Sequence, residues 1–264
     1  MRAGHCWWVM KTTPSQTNQS CGCIKRRTVL SSLALTVAAA TLSPFRKLLA
    51  QTPTPQEKES TETKVMGMGS HLLQDNHPID QIDAYVCGLH FYNGDMGRQV
   101  IAHHFCSHRS EEFLQCVIYD TNKSDARLIG IEYIISARLF GGLPDEEKRY
   151  WHSHQFEVKS GQLTAPGIPE PVEHEIMKKL VNTYGKTWHT WQYDRHGDLP
   201  LGLPQLMMGF TEPGQAQESL VKEVEKEINY TVEERMKDRQ DIEAPTVLAG
   251  ANGWEQGKIY QIRP

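Results

Sequence analysis

From residue 82 onward the apolar residues fall in short bursts spaced for strands. Residues 82–92, 99–107, 113–120 and 127–136 are rich in Val, Ile, Tyr and Phe, and turn formers such as Asn93-Gly94-Asp95 and Asp120-Thr121-Asn122 separate them. Connections that short favour antiparallel pairing. Pro144 followed by Asp145, Glu146 and Glu147 suits the first turn of a helix over 144–150. A strand is expected over 151–159, closed by Ser160-Gly161. A helix follows over 171–184, with Val172, Ile176, Leu180 and Val181 on one stripe and Gly185 as its stop. Residues 186–193 return to strand. The longest helix is expected over 215–241, where Val221, Val224, Ile228, Val232 and Met236 recur at three- and four-residue steps. Strands first and helices segregated after them give an α+β class: a mainly antiparallel sheet with two or three packed helices in a single domain.

Ahead of this domain, placed at 65–264, the pattern changes twice. Residues 51–64 are Gln, Pro, Thr, Ser, Glu and Lys with no large apolar side chain, the composition of a disordered linker. Residues 1–50 contain no acid and seven of the 28 basic residues, so the rest of the chain sets 21 bases against 32 acids, a net of −11. That balance excludes a nucleic-acid partner recruited by bulk charge and disfavours adsorption to anionic lipid. Lys25-Arg26-Arg27 runs directly into an apolar stretch at 29–42, too short to span a bilayer. This is the layout of a twin-arginine export signal, with Arg26 and Arg27 as its recognised pair and the twin-arginine export machinery as a partner. The chain is then expected in the periplasm or outside the cell, or tethered by an uncleaved N-terminal segment. No transmembrane helix is expected in the mature chain.

The candidate chemistry lies in the histidines. The chain has no G-x-G-x-x-G, no Walker loop, no G-x-S-x-G elbow and no C-x-x-C. Eleven of the twelve histidines follow the apolar stretch. On a strand, alternation sends His104, Cys106 and His108 to one face, and His152 and His154 likewise share a face. His189 stands between Trp188 and Trp191. If those strands pair, imidazoles and a thiolate converge as ligands for zinc, copper or iron. The other reading is of hydrogen-bonded core histidines. Cys87, Cys106 and Cys116 are the cysteines after the apolar stretch, enough for one disulfide with a thiol left over.

Several blocks taken together are specific: His103-His104-Phe105-Cys106-Ser107-His108, Gln115-Cys116-Val117-Ile118-Tyr119-Asp120, Trp151-His152-Ser153-His154-Gln155-Phe156, and Tyr184-Gly185-Lys186-Thr187-Trp188-His189 running on to Leu206-Met207-Met208. With them the chain resembles the oil body-associated protein family from about residue 66 to the C-terminus, most strongly over 82–211. It is similar to the bacterial relatives, described as a domain of unknown function. The resemblance implies association with neutral-lipid droplets or their biogenesis, as in plant members, and it carries over no catalytic residue. The export signal and linker depart from the plant pattern. Two functions are expected from the whole reading. The first is an exported, non-catalytic binder of lipid or another apolar ligand, with Trp151, Trp188, Trp191, Met207 and Met208 lining the pocket. The alternative is a metal-binding protein or metal-dependent enzyme built on His104, Cys106, His108, His152, His154 and His189.

Overall fold

The structure is a computed structural model that describes residues 59–75 and 77–263. The expected export signal, with Arg26 and Arg27, lies outside the described residues, as does the expected linker up to residue 58. Helix α1 (Thr61–Leu73) begins inside the stretch read as linker, with the Ser60 hydroxyl accepting from the Thr63 N–H. None of its residues is buried. A single turn, α2 (His77–Asp80), leads into the strands.

In chain order the strands are β1 (Ala84–Tyr92), β2 (Asp95–Ser110), β3 (Phe113–Tyr119), β4 (Leu128–Ser136), β5 (His152–Ser153), β6 (Thr183–His189) and β7 (Gln205–Met208). The first four form an antiparallel meander. Strand β6 then pairs with β4 along its whole length, from Gly130 opposite His189 to Ser136 opposite Thr183. Strand β7 joins β6 back to β1 through Thr187 opposite Met207 and Phe91 opposite Met208. The expected antiparallel sheet is therefore closed into a six-stranded barrel, with the β1–β7 seam made at Phe91 and Tyr92 and the chain at Thr164 bridging to Cys87 on the rest of that edge. The short β5 lies on β6 beside β7.

Closure gives each strand an inner and an outer face, and the period of two sorts the side chains between them. On β1, Val86, Gly88 and His90 face a small internal void, while Cys87, Leu89 and Phe91 pack outward with Leu206, Met208 and Phe210. Inside, Tyr92, Val100 and Met207 make one apolar layer, and Cys106, Cys116, Ile134 and Leu114 make another. Between them is a polar layer drawn from β1, β2, β4 and β6.

The helices wrap the outside. Helix α6 (Glu170–Leu180) covers one barrel end with Met177 and Leu180, packed on Val86, Val158 and Leu163. Short helices α3 (Ala137–Gly141), α4 (Asp145–Lys148) and α5 (Gln155–Lys159) join β4 to α6. The long helix expected over 215–241 is two helices, α7 (Glu218–Ile228) and α8 (Val232–Asp238). Asn229 turns left-handed at φ 59°, and Thr231 with Glu234 restarts the chain with a capping box. The strand expected over 151–159 survives for two residues only. His154 adopts an α-region backbone and α5 begins at Gln155. The helix expected over 171–184 stops at Leu180, so Tyr184 and Gly185 belong to β6. Among the described residues no helix is long and apolar enough to cross a membrane.

Candidate functional site

Glu132 is the centre of the polar layer. It lies on the inner face of β4, between Gly130 and Ile134 in the alternation, and is buried with four histidines around it. His104 Nε2 on β2 is 2.7 Å from Glu132 Oε2, and His90 Nε2 on β1 is 3.9 Å from the same oxygen. His154 Nε2 and His152 Nε2 lie 3.2 and 3.5 Å from Oε1. The α-region turn at His154 makes this possible, because it bends the chain so that both rings reach the same carboxylate oxygen. It also brings in Glu157 from α5, which a continuous strand would have sent to the opposite face. His189 completes the layer from β6, its ring centroid 5.6 Å from that of His90.

Two glycines make room for the carboxylates. A methyl group on Gly185 would stand 1.9 Å from Glu132 Oε1, and one on Gly209 would stand 2.7 Å from Glu157 Oε2. Gly185 is thus placed in β6 by close approach of a side chain, not as a helix stop.

Burial sets the charge states. It drives the His90 imidazole well below its ordinary pKa, with Glu132 only partly opposing, and lowers those of His152 and His189 to about 3. Burial acts to raise the Glu132 carboxyl, but the His104 and His154 rings outweigh it and hold it well below the usual range. Glu157 has no such partner, so burial and the neighbouring Glu132 push it well above. Burial thus favours neutral imidazole at His90, His152 and His189 and the protonated carboxyl at Glu157, beside an ionised Glu132.

Hydrogen bonding inside the layer is incomplete. Among the described residues, both ring nitrogens of His104, His152 and His189 lack a hydrogen-bond partner, as do His90 Nδ1 and Glu157 Oε2. His104 Nε2 nevertheless lies 2.7 Å from Glu132 Oε2, a close polar contact that helps hold that carboxyl low. An unpartnered buried polar group costs about 1–3 kcal/mol, so this is an unusual concentration. The space among His90, His104, Glu132, His154 and Glu157 is about 10 Å³, room for one water-sized occupant. The Thr183 hydroxyl donates to Leu180 O at 2.7 Å and therefore accepts from His154 Nδ1 at 2.8 Å. That places a proton on His154 Nδ1, so in the neutral ring Nε2 turns a lone pair to the carboxylate oxygen, whereas in the cationic ring it donates to it. Two acceptors 3.2 Å apart need a cation between them. A second proton on His154 would relieve that pair alone, whereas a metal ion would also engage the neighbouring orphan nitrogens.

Three overlapping triads place their ligand atoms within 4.8 Å of one another: His90, His104 and Glu132; Glu132, His152 and His154; and His90, His152 and Glu157. Each is two imidazoles and one carboxylate, a donor set that suits zinc or non-haem iron(II).

Of the six metal ligands expected, His104, His152, His154 and His189 come together here. Cys106 does not, because it is disulfide-bonded to Cys116 directly across β2 and β3, leaving Cys87 as the free thiol among the described residues. His108 is exposed where β2 runs past the barrel end, and it pairs with Asp83. His90, Glu132 and Glu157 were not expected. The signal for the first two was a polar residue at the core-facing phase of an otherwise apolar strand.

The aromatic and methionine residues expected to line one pocket are divided among separate packing clusters. Trp151 packs with Ile135, Phe140 and Tyr184, while Trp188 and Met208 pack outside the barrel with Phe91 and Phe210. Met207 points inside, because neighbouring residues on a strand face opposite ways, and Trp191 lies against Ile118 and Ile129. A larger, mostly apolar cavity lies elsewhere, at the barrel end under α6. It measures about 610 Å³, and none of the five residues lines it.

A family described as protein of unknown function (DUF1264) matches residues 76–243. Oil body-associated protein 1B of Arabidopsis thaliana is 43% identical over 211 residues, covering 79% of this chain and 88% of that protein. Oil body-associated protein 1A of Zea mays is 45% identical over 213 residues, 79% and 89% of the two chains. Oil body-associated protein 2C of Arabidopsis thaliana is 39% identical over 207 residues, 77% and 87%. No solved structure matches the chain. The similarity spans the barrel and the helices around it, and the chain belongs to the oil body-associated protein family.

Proposed function

We propose that this chain is a metal-binding member of its family, holding one zinc or iron(II) ion inside the barrel on Glu132 and imidazoles drawn from His90, His104, His152 and His154. The observation that carries the reading is His154 Nε2 facing the Glu132 carboxylate at 3.2 Å while Nδ1 is held by Thr183, amid further buried nitrogens without partners. A bound ion of this kind supplies Lewis-acid or redox chemistry. The protein supplies orientation through the Thr183 contact to His154 and exclusion of water by the apolar layers on either side. Metal analysis of the full chain purified from its own host without chelator tests the idea. We expect one ion per chain, lost in Glu132→Ala and in the His152→Ala/His154→Ala pair. Substoichiometric metal, together with a melting temperature that chelator leaves unchanged, would overturn it.

A second reading, binding of an apolar ligand, is favoured by the cavity under α6, whose size is typical of small-molecule sites. The relatives are named for association with oil bodies, and a peripheral lipid association accords with a chain lacking a membrane-spanning helix among its described residues. Export through the twin-arginine route remains our reading of residues 1–50. A cofactor site buried in a closed barrel is cargo of the kind that route carries already folded, and the Cys106–Cys116 disulfide suits an oxidising compartment.

A further inference from the structure

We propose that the cavity under α6 binds a long-chain carboxylate, with the hydrocarbon chain in the cavity and the carboxylate directed through its inner wall to the metal centre. The inference rests on the metal reading above and assigns a ligand class to that site. The cavity walls are aliphatic, formed by Val86, Leu114, Ile134, Ile168, Ile176 and Leu180 from the ends of the strands, the segment before α6, and α6 itself. Three of these, Val86, Ile134 and Leu180, also line the void that holds His90, His104, Glu132, His154 and Glu157. Cavity and polar layer are thus separated by one thickness of apolar side chain. Thr183 ties them together, since it lines the cavity and holds the His154 ring.

The arrangement of polar groups sets the direction of the ligand. At the mouth the charges are largely matched among themselves: Arg138 with Glu112, His108 with Asp83, and Lys178 with Glu175. The remaining charged residues of the lining, Glu111 and Lys179, are one of each sign, so the rim carries no net positive charge to hold an anionic head outside. At the inner end, buried atoms without partners belong to His90, His104 and Glu157. A dication held by two imidazoles and one carboxylate keeps one positive charge in a dry interior, and an anionic oxygen donor, from Glu157 or from a ligand in its place, balances it. A molecule matching both ends has one aliphatic chain and one carboxylate. To reach the centre it must displace the Val86, Ile134 and Leu180 side chains that the two spaces share, so it enters when that wall opens.

The test uses full-length protein loaded with cobalt(II), whose visible absorption reports changes in its ligands. Metal content is measured first. Hexadecanoate is then titrated, with hexadecan-1-ol and acetate as comparisons, into wild type and into Ile176→Trp, which fills the cavity at a half-buried position far from the ligands. We expect one hexadecanoate per chain, a shifted cobalt spectrum, and affinity reduced at least about tenfold in Ile176→Trp, with folding checked by circular dichroism. The alcohol should bind more weakly and acetate should need far higher concentration. If Ile176→Trp does not fold, Ile168→Trp replaces it. Absence of metal sinks the metal reading and this inference together, before any lipid is added. Metal-loaded protein that ignores hexadecanoate, binds it with an unchanged spectrum, or binds it equally in the filled variant overturns this inference alone.

Discussion

Replacing Gly185 by alanine adds one methyl group at the point where β6 passes Glu132. That methyl would lie 1.9 Å from Glu132 Oε1, 2.8 Å from His154 Nε2 and 2.9 Å from His152 Nε2. Ordinary contact requires the carboxylate to retreat by roughly 1.5 Å. It has little room to do so, because His104 stands 2.7 Å from its other oxygen. The variant should therefore lose about 1–3 kcal/mol by overpacking alone, seen as a fall in melting temperature of a few degrees for a domain of this size. A metal ion at a hundred times its dissociation constant adds about 2.7 kcal/mol to stability, and the displaced ligands forfeit that as well. Thermal unfolding with and without chelator separates the two effects. Wild type should drop on chelation, while Gly185→Ala should start lower and respond little. Gly69→Ala, on the exposed α1 with nothing within 4 Å of the new methyl, is the control and should be neutral or slightly stabilising. If Gly185→Ala melts with wild type and keeps its metal, the close approach assigned to this glycine is wrong.

Four other outcomes are expected. Arg239 is fully buried, donates to Val158 O and Leu163 O, each at 2.8 Å, and pairs with buried Glu173. Arg239→Met should cost about 3–5 kcal/mol in urea unfolding by leaving Glu173 poorly compensated. Asp194 is raised by partial burial, but hydrogen bonds from Arg98 and Tyr92 outweigh this and hold it below its ordinary pKa. Its stabilisation is present above the unfolded carboxylate pKa and lost as pH falls through the lower folded value, so the melting deficit of Asp194→Asn should be full at neutral pH and close in acid. Removing the Cys106–Cys116 disulfide as a double alanine variant should cost about 2–3 kcal/mol, whereas wild type under strong reductant should approach the same unfolding midpoint. Arg26→Lys with Arg27→Lys should retain the full chain in the cytoplasmic fraction of its host. Finding wild type there too would refute export.

The four leading strands were legible because each is a burst of β-branched and aromatic residues between turn formers, and short connections settle their antiparallel sense. Barrel closure was not, since it depends on β6 meeting β4 across some fifty residues, and no local pattern encodes that distance. The segment at 151–159 misled because His152, His154, Phe156 and Val158 alternate as in a strand while the backbone curls at His154. The same curl hid Glu157. The apolar stripe over 215–241 was real on both sides of the break, yet Asn229 and the Thr231-x-x-Glu234 box were readable as a stop and a restart. The histidine pattern identified four members of the polar layer. Glu132 was overlooked because one acid in an apolar run looks like the solvent-facing member of an alternating strand. Cys106 was grouped with His104 by a sound rule of alternation, but a thiol that shares a face with its cross-strand partner is free to form a disulfide instead.

The closed sheet also governs when the centre can be filled. Ligands from β1, β2, β4 and β5 exist as a set only after the chain has wrapped on itself, and solvent then reaches them only when the wall breathes. An ion seated there would exchange on the timescale of barrel opening, so its identity would record the metal supply of the place where the chain folded, not that of the place where the protein works. Two samples folded in different surroundings would differ in metal while sharing every residue.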